Sequence, residues 1–157
     1  MKKSTKPVIY GIFISLALIA YFSLLSLFGV QTNPIFSIGN GFIMAIGLYM
    51  GMKSYRNEKG KNFKYQKGFM AGLLTGFNAT ILFTIFFAIY VTHINTDFLP
   101  MMLENWQSHY HVGVGLVVFV AAIMGFATTF VLTLSFMQLF KESWNTNKKS
   151  SSHPLKV

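Results

Sequence analysis

The chain has 157 residues, of which 53% are hydrophobic and 11% charged. A soluble domain runs at ~45–50% apolar and ~25% charged. Thirteen basic and four acidic side chains cannot coat a globule that also holds seventeen Phe, so the composition argues against a soluble enzyme and for an integral membrane protein. The absence of Cys removes disulfides, thiolate zinc sites and cysteine nucleophiles.

Four apolar runs contain no charged residue: Val8–Val30, Ile35–Met52, Phe69–Val91 and Val112–Phe140. At 1.5 Å per residue, about 20 residues of helix cross ~30 Å of hydrocarbon. The 18-residue second run is marginal, and the 29-residue fourth is long enough to tilt or protrude. Backbone in lipid must satisfy its own hydrogen bonds, so these runs read as helices, and the alternation of an outer-membrane barrel is nowhere visible. The first run follows Met1-Lys2-Lys3 and resembles a secretion signal. At 23 residues, without a small-residue cleavage pattern, it reads instead as an uncleaved first helix.

Charge sets the expected orientation. Lys2, Lys3 and Lys6 precede the first run, and Lys53, Arg56, Lys59, Lys61, Lys64 and Lys67 lie in the connector 53–67. Lys141, Lys148, Lys149 and Lys156 follow the fourth run, whereas connectors 31–34 and 92–111 have no Lys or Arg. All thirteen basic residues thus fall on one side of a four-span topology, which places both termini in the cytoplasm. The cluster at 53–67 also suits anionic lipid, while a nucleic-acid partner is not expected. The stretch 145–157 reads as a polar, disordered tail after a single membrane domain at 1–144.

Small residues recur every fourth position of the third run: Gly68, Gly72, Gly76, Thr80, Thr84 and Ala88. Lipid tails provide no hydrophobic force between helices, so such a ridge points to close backbone packing. Phe69, Leu73 and Phe77 would then point elsewhere. The second run offers Gly41, Ala45, Gly47 and Gly51, and the fourth Ala121, Gly125, Thr129 and Thr133. Tight packing among runs two, three and four is expected, within one chain or between copies. Asn40 and Asn78 fall inside spans, where a buried amide needs a partner and acts as packing glue.

Connector 92–111 carries His93, Asp97, Glu104, His109 and His111. Imidazoles and carboxylates bind zinc, but no H-x-x-x-H or H-E-x-x-H spacing occurs, so no metal or cofactor is expected. A short interfacial helix from Phe98 to Trp106 is the better reading, with Phe98, Leu99, Met101, Met102 and Trp106 dipping into the membrane surface. Tyr90, Trp106 and Tyr110 would form an outer aromatic belt, opposite Tyr10, Tyr55, Tyr65 and Trp144.

No span carries the Asp, Glu, Lys, Arg or His of ion-coupled carriers, and all four prolines lie at span edges or in loops. No phosphate loop or Ser, His and acid arrangement is recognisable. The elements Tyr65-Gln66-Lys67-Gly68-Phe69, Gly72 and Ile94-Asn95-Thr96-Asp97-Phe98, with the segment leading into the fourth run, carry a resemblance. They are similar to a family of small bacterial membrane proteins known as a domain of unknown function, DUF4199-like. The resemblance implies a four-helix inner-membrane protein and brings no activity, ligand or catalytic residue. The expectation is therefore an all-α four-helix membrane bundle. It would act as a non-enzymatic subunit or accessory of a membrane assembly, with a small oligomeric channel or transporter as the alternative.

Overall fold

A computed structural model describes residues 4–30, 34–60, 63–98, 100 and 113–140. These residues form four long helices and no strand. The helices are α1 (Lys6–Leu27), α2 (Pro34–Lys59), α3 (Tyr65–Ile89) and α4 (Val114–Leu139). A π-helical turn, Tyr90–Ile94, continues α3.

Local chemistry sets the helix ends. α1 starts with Pro7 in its first turn, where proline's missing N–H costs nothing. It stops at Gly29, whose φ of 67° is open to glycine at little steric cost. The Gly29 N–H donates to the Ser26 carbonyl and the Val30 N–H to that of Leu25, which closes a Schellman cap. α2 likewise ends before Gly60, at φ 47°. It runs seven residues past the expected boundary at Met52, so Lys53, Arg56 and Lys59 lie on helix rather than in a loop. Cations in the last turns of a helix oppose its negative end, which is why these charges do not stop it sooner.

α1, α3 with its π-helical extension, and α4 are long and apolar enough to cross a membrane, at 22, 30 and 26 residues. Their outward faces expose Phe13, Leu16, Met70, Leu74, Phe119, Ile123 and Val131, among others, and α2 adds Phe42 and Ile46. Apolar exposure on every side suits a hydrocarbon solvent.

Contacts along the helices give their directions. α2 is antiparallel to α1, since Gly51 lies against Tyr10, Gly47 against Ile14 and Gly39 against Tyr21. α3 runs parallel to α1: Gly11 meets Thr75 and Asn78, and Ser26 near the other end bonds Tyr90. α4 returns antiparallel to α3. One end of the bundle therefore collects the start of α1, the end of α2, the start of α3 and the end of α4. There the Ser4 hydroxyl donates to the Glu58 carboxylate at 2.8 Å, and the Arg56 guanidinium stands 5.4 Å from the centre of the Phe140 ring. All the basic residues described, Lys6, Lys53, Arg56, Lys59, Lys64 and Lys67, belong to this end.

Three layers fill the interior. Met52, Met137 and Phe140 pack at the basic end. Ile14, Leu18, Met44, Leu48 and Ala79 occupy the middle. Phe22, Phe87, Tyr90, Val91 and Phe98 close the far end. Phe22 is the hub of this last layer. Phe83, Phe86, Phe87, Tyr90 and Phe98 surround it edge-on at centroid distances of 4.9–6.3 Å. Such pairs each add about 0.5–1.5 kcal/mol beyond simple burial.

Two expectations are corrected here. Phe98 is buried against Phe22 instead of dipping into a membrane surface. Tyr90 is 5% exposed, and belongs to the core rather than to an aromatic belt. Tyr90 follows Phe83 and Phe87 at helical spacing on the inner face of α3, and the chain beyond the π turn places Phe98 against Phe22. Of the expected interfacial helix, residues 99 and 101–106 lie outside the described residues, as do the hairpin residues 31–33 and the tail 145–157.

Truncating the hub tests this layer. Phe22→Ala should lower unfolding stability in detergent by about 3–5 kcal/mol. Phe13→Ala, at a ring 65% exposed on the same helix, should change it by well under 1 kcal/mol, followed by loss of helical circular dichroism under denaturant.

Candidate functional site

Among the described residues no group of three or more His, Asp or Glu could hold a metal ion. His93 and Asp97 are exposed, and the Thr92 hydroxyl is hydrogen-bonded to His93 Nδ1. His109 and His111 lie outside the described residues. The groove between α3 and α4 lined by Ile81, Thr84, Ile85, Ala88, Val118, Ala122 and Phe126 encloses about 210 Å³. Thr84 is its one polar side chain, and nothing converges there to orient a substrate. The features that organise the molecule are instead a line of close helix contacts and a few buried polar atoms.

The line runs between α3 and α4, where glycine on one helix repeatedly faces threonine on the other. A methyl group built on Gly72 would lie 2.6 Å from Thr133 Cγ2, and one on Gly125 would lie 2.6 Å from Thr80 Cγ2. Gly76 meets Thr129 in the same way, and Gly68 faces the end of Met137 at 3.2 Å. The register steps four residues on each helix, so one face of each is used throughout. Phe77–Phe126 and Phe69–Phe130 ring pairs, at 4.9 and 5.9 Å, flank this line. Phe69 and Phe77 thus take part in the α3–α4 contact, contrary to the expectation that they point away. A long side chain beside a glycine groove reaches round it to the partner helix.

Of the glycines expected on α2, Gly47 faces α1 and Gly51 lies between α1 and α3. Gly47 is covered by Ile14, and Gly51 by Tyr10 at 3.1 Å, with Thr75 Cγ2 beyond at 3.4 Å. Gly41 has nothing within 4 Å, and Ala121 packs at the edge of the Phe22 layer. α1 is consequently a full member of the packing, not an outlying span.

Its key residue escaped sequence reasoning. A methyl on Gly11 would lie 2.8 Å from the Thr75 carbonyl oxygen and 2.8 Å from Asn78 Cβ. Among the described glycines, Gly11 is the one whose nearest neighbours include main-chain atoms of another helix, and backbone cannot swing aside. Gly11 lies four residues before the buried Ser15, so α1 carries one small pair of the same spacing, a shorter signal than the ridge of α3.

The buried polar atoms divide into two kinds. Thr75 and Thr129 return their hydroxyls to carbonyls of their own helices, at Ala71 and Gly125, over 2.8 and 2.9 Å. Asn78 does the same with its amide, donating to the Leu74 carbonyl at 2.8 Å. It satisfies itself locally and does not bridge helices. Asn40 Oδ1, Thr80 Oγ1 and Thr133 Oγ1 have no hydrogen-bond partner. The two threonine oxygens lie 3.0 and 3.1 Å from where a Cβ would stand on Gly125 and Gly72.

At the far end, Tyr90 joins three elements. Its hydroxyl is hydrogen-bonded to Ser26 of α1 and accepts the Asn95 side-chain amide at 3.2 Å. The Asn95 N–H in turn donates to the Tyr90 carbonyl at 2.9 Å, closing the π turn.

The sequence model of a family described as a protein of unknown function, DUF4199, matches residues 9–111. That is well over half of the chain. The chain belongs to the DUF4199 family. The matched region takes in α1, α2, α3 and the connector after it, and stops before α4, so it starts earlier and ends earlier than the motifs from Tyr65 onward suggested. No curated protein and no solved structure matches the chain.

The glycine–threonine line makes a pairwise prediction. Gly76→Ala should destabilise the bundle by about 1–3 kcal/mol through overpacking. Adding Thr129→Gly should recover a measurable part of that loss, as contacting residues couple by roughly 0.5–3 kcal/mol. Gly41→Ala, with open space around it, should be neutral or stabilising by up to about 1 kcal/mol. Thermal unfolding of the four proteins in one detergent is the measurement, and equal effects at Gly41 and Gly76 would contradict the packing.

Proposed function

We propose that this DUF4199 protein is a non-enzymatic, four-span membrane protein of a bacterial inner membrane, acting as a subunit or accessory of a membrane assembly. Both termini face the cytoplasm in this reading, and α2 crosses the bilayer with the other three helices. The observation that carries the reading is the interior. Small, aliphatic and aromatic side chains fill the described interior, and no Asp, Glu, Lys, Arg or His is buried among them. Carriers and relays place charged groups within their spans, and catalysis needs convergent reactive groups. The bundle offers neither among its described residues. It offers a packed bundle whose outward faces are largely apolar and whose one end is strongly basic.

A small oligomeric channel is the alternative. A pore needs a polar stripe through the full depth of the membrane, and the hydroxyls of Thr75, Thr80, Thr129 and Thr133 are buried within one chain. The monomer thus keeps its polar groups for its own packing, which favours the accessory role.

Two measurements test the proposal. With no native Cys to interfere, an impermeant thiol reagent applied to intact cells should label Thr96→Cys and leave Asn57→Cys unlabelled until the membrane is opened. Labelling of both from outside contradicts the orientation. Purification in mild detergent should then return other membrane proteins in fixed proportion. A homogeneous oligomer that conducts ions in planar bilayers would support the channel instead.

A further inference from the structure

We infer that the basic end of the bundle is a binding surface for the phosphodiester headgroups of anionic phospholipids in the leaflet it meets. Setting topology needs basic residues only somewhere in the connecting segments. The fold does something more particular with them. Lys6 opens α1, Lys53 stands on the penultimate stretch of α2, and Lys64 and Lys67 begin α3. Four exposed ammonium groups from three helices are thus distributed round one rim. None of the four has an ion-pair partner among the described residues.

The single acid described at this end does not cancel them. Glu58 accepts the Ser4 hydroxyl at 2.8 Å and pairs with Lys59 at 3.7 Å, so its charge is engaged within the rim. Aromatic rings hold the cations close to the apolar wall. Lys53 Nζ lies 5.7 Å from the Tyr49 ring centre and Lys59 Nζ 5.7 Å from that of Tyr55, while Arg56 stands over Phe63 and Phe140. Tyr49 stacks on Phe140 at 5.7 Å beneath Lys53 and Arg56. Tyrosines seat at the depth of lipid headgroups. A cation folded over such a ring sits where phosphates are, whereas a nucleic-acid patch would project its lysines into water. The opposite end has only His93 and Asp97 as ionisable side chains among its described residues, so any lipid preference belongs to one leaflet.

The inference rests on the bundle spanning a bilayer, which the thiol-labelling pattern tests separately. The full chain would be purified and reconstituted in phosphatidylcholine nanodiscs with a minor fraction of spin-labelled phosphatidylglycerol. Electron paramagnetic resonance then reads the motionally restricted lipid at the protein surface, with spin-labelled phosphatidylcholine as reference. Each basic residue near an anionic surface contributes about a fivefold preference. The native chain should therefore restrict phosphatidylglycerol at least about fivefold more than phosphatidylcholine. The variant Lys6→Gln, Lys53→Gln, Lys64→Gln, Lys67→Gln should lose most of that preference, and the same four positions changed to Arg should keep it. Unchanged circular dichroism in all three establishes that the fold is intact. Equal restriction of both lipids by the native chain, or full preference in the Gln variant, overturns the inference. So does displacement of the labelled lipid by inorganic phosphate, which would indicate a soluble anion site, or by a DNA duplex, which would indicate a nucleic-acid surface.

Discussion

Helices that meet in hydrocarbon gain nothing by hiding apolar surface from each other, because the lipid is as apolar as they are. What holds them is the number of atoms brought into van der Waals range, and that number rises steeply as the axes approach. α3 is built on this constraint. Its buried face consists of Gly68, Ala71, Gly72, Thr75, Gly76, Ala79 and Thr80 before any large side chain appears at Phe87. α1 enters this face at Gly11, α2 at Gly51 and Met52, and α4 through Thr129 and Thr133. A methyl group added at Gly11 meets main chain of α3 and one at Gly76 meets Thr129, so both would force their neighbours to shift, whereas Gly51 has a little more room.

The two halves of the bundle use different means to the same end. Towards the basic end, close backbone approach is made by glycine and threonine. Towards the far end the helices are separated by rings, with Phe22 wedged among five aromatic neighbours. Small residues allow proximity and large rings fill distance, so the helices can diverge without leaving a void. The π turn belongs to the second solution. It brings Asn95 back to Tyr90, whose hydroxyl bonds Ser26, and so ties the end of α1 to the end of α3. The DUF4199 match covers this tie and the α1–α3 contact, but not the helix that completes the glycine–threonine line.

The distribution of charge follows from the same economy. Every basic side chain described is at one end, and the helix interiors hold none. The interior polarity that remains is hydroxyl and amide, mostly returned to the nearest carbonyl of the same helix. A protein arranged in this way presents a passive apolar wall and one electrically active rim.

Sequence alone determined the class, the number of long apolar segments and the gathering of positive charge. Each of these depends on composition along the chain: hydrophobic length is counted in residues, and charge is counted by segment. It also marked the four-residue spacing of Gly68, Gly72, Gly76 and Thr80, because a helix turns residues of that spacing to one side. Only the tertiary structure decided which helix each small residue meets. Gly47 and Gly51 look alike in sequence to Gly72 and Gly76, yet they face side chains of α1. Gly11 had only Ser15, four residues on, to announce it, a single small pair on an otherwise bulky helix. Tyr90 and Phe98 read as surface aromatics because they lie at and beyond the edge of an apolar run, and they are buried because both pack against Phe22 of α1. Partner choice between helices is a property of pairs, and a single strand of residues records only one member of each pair.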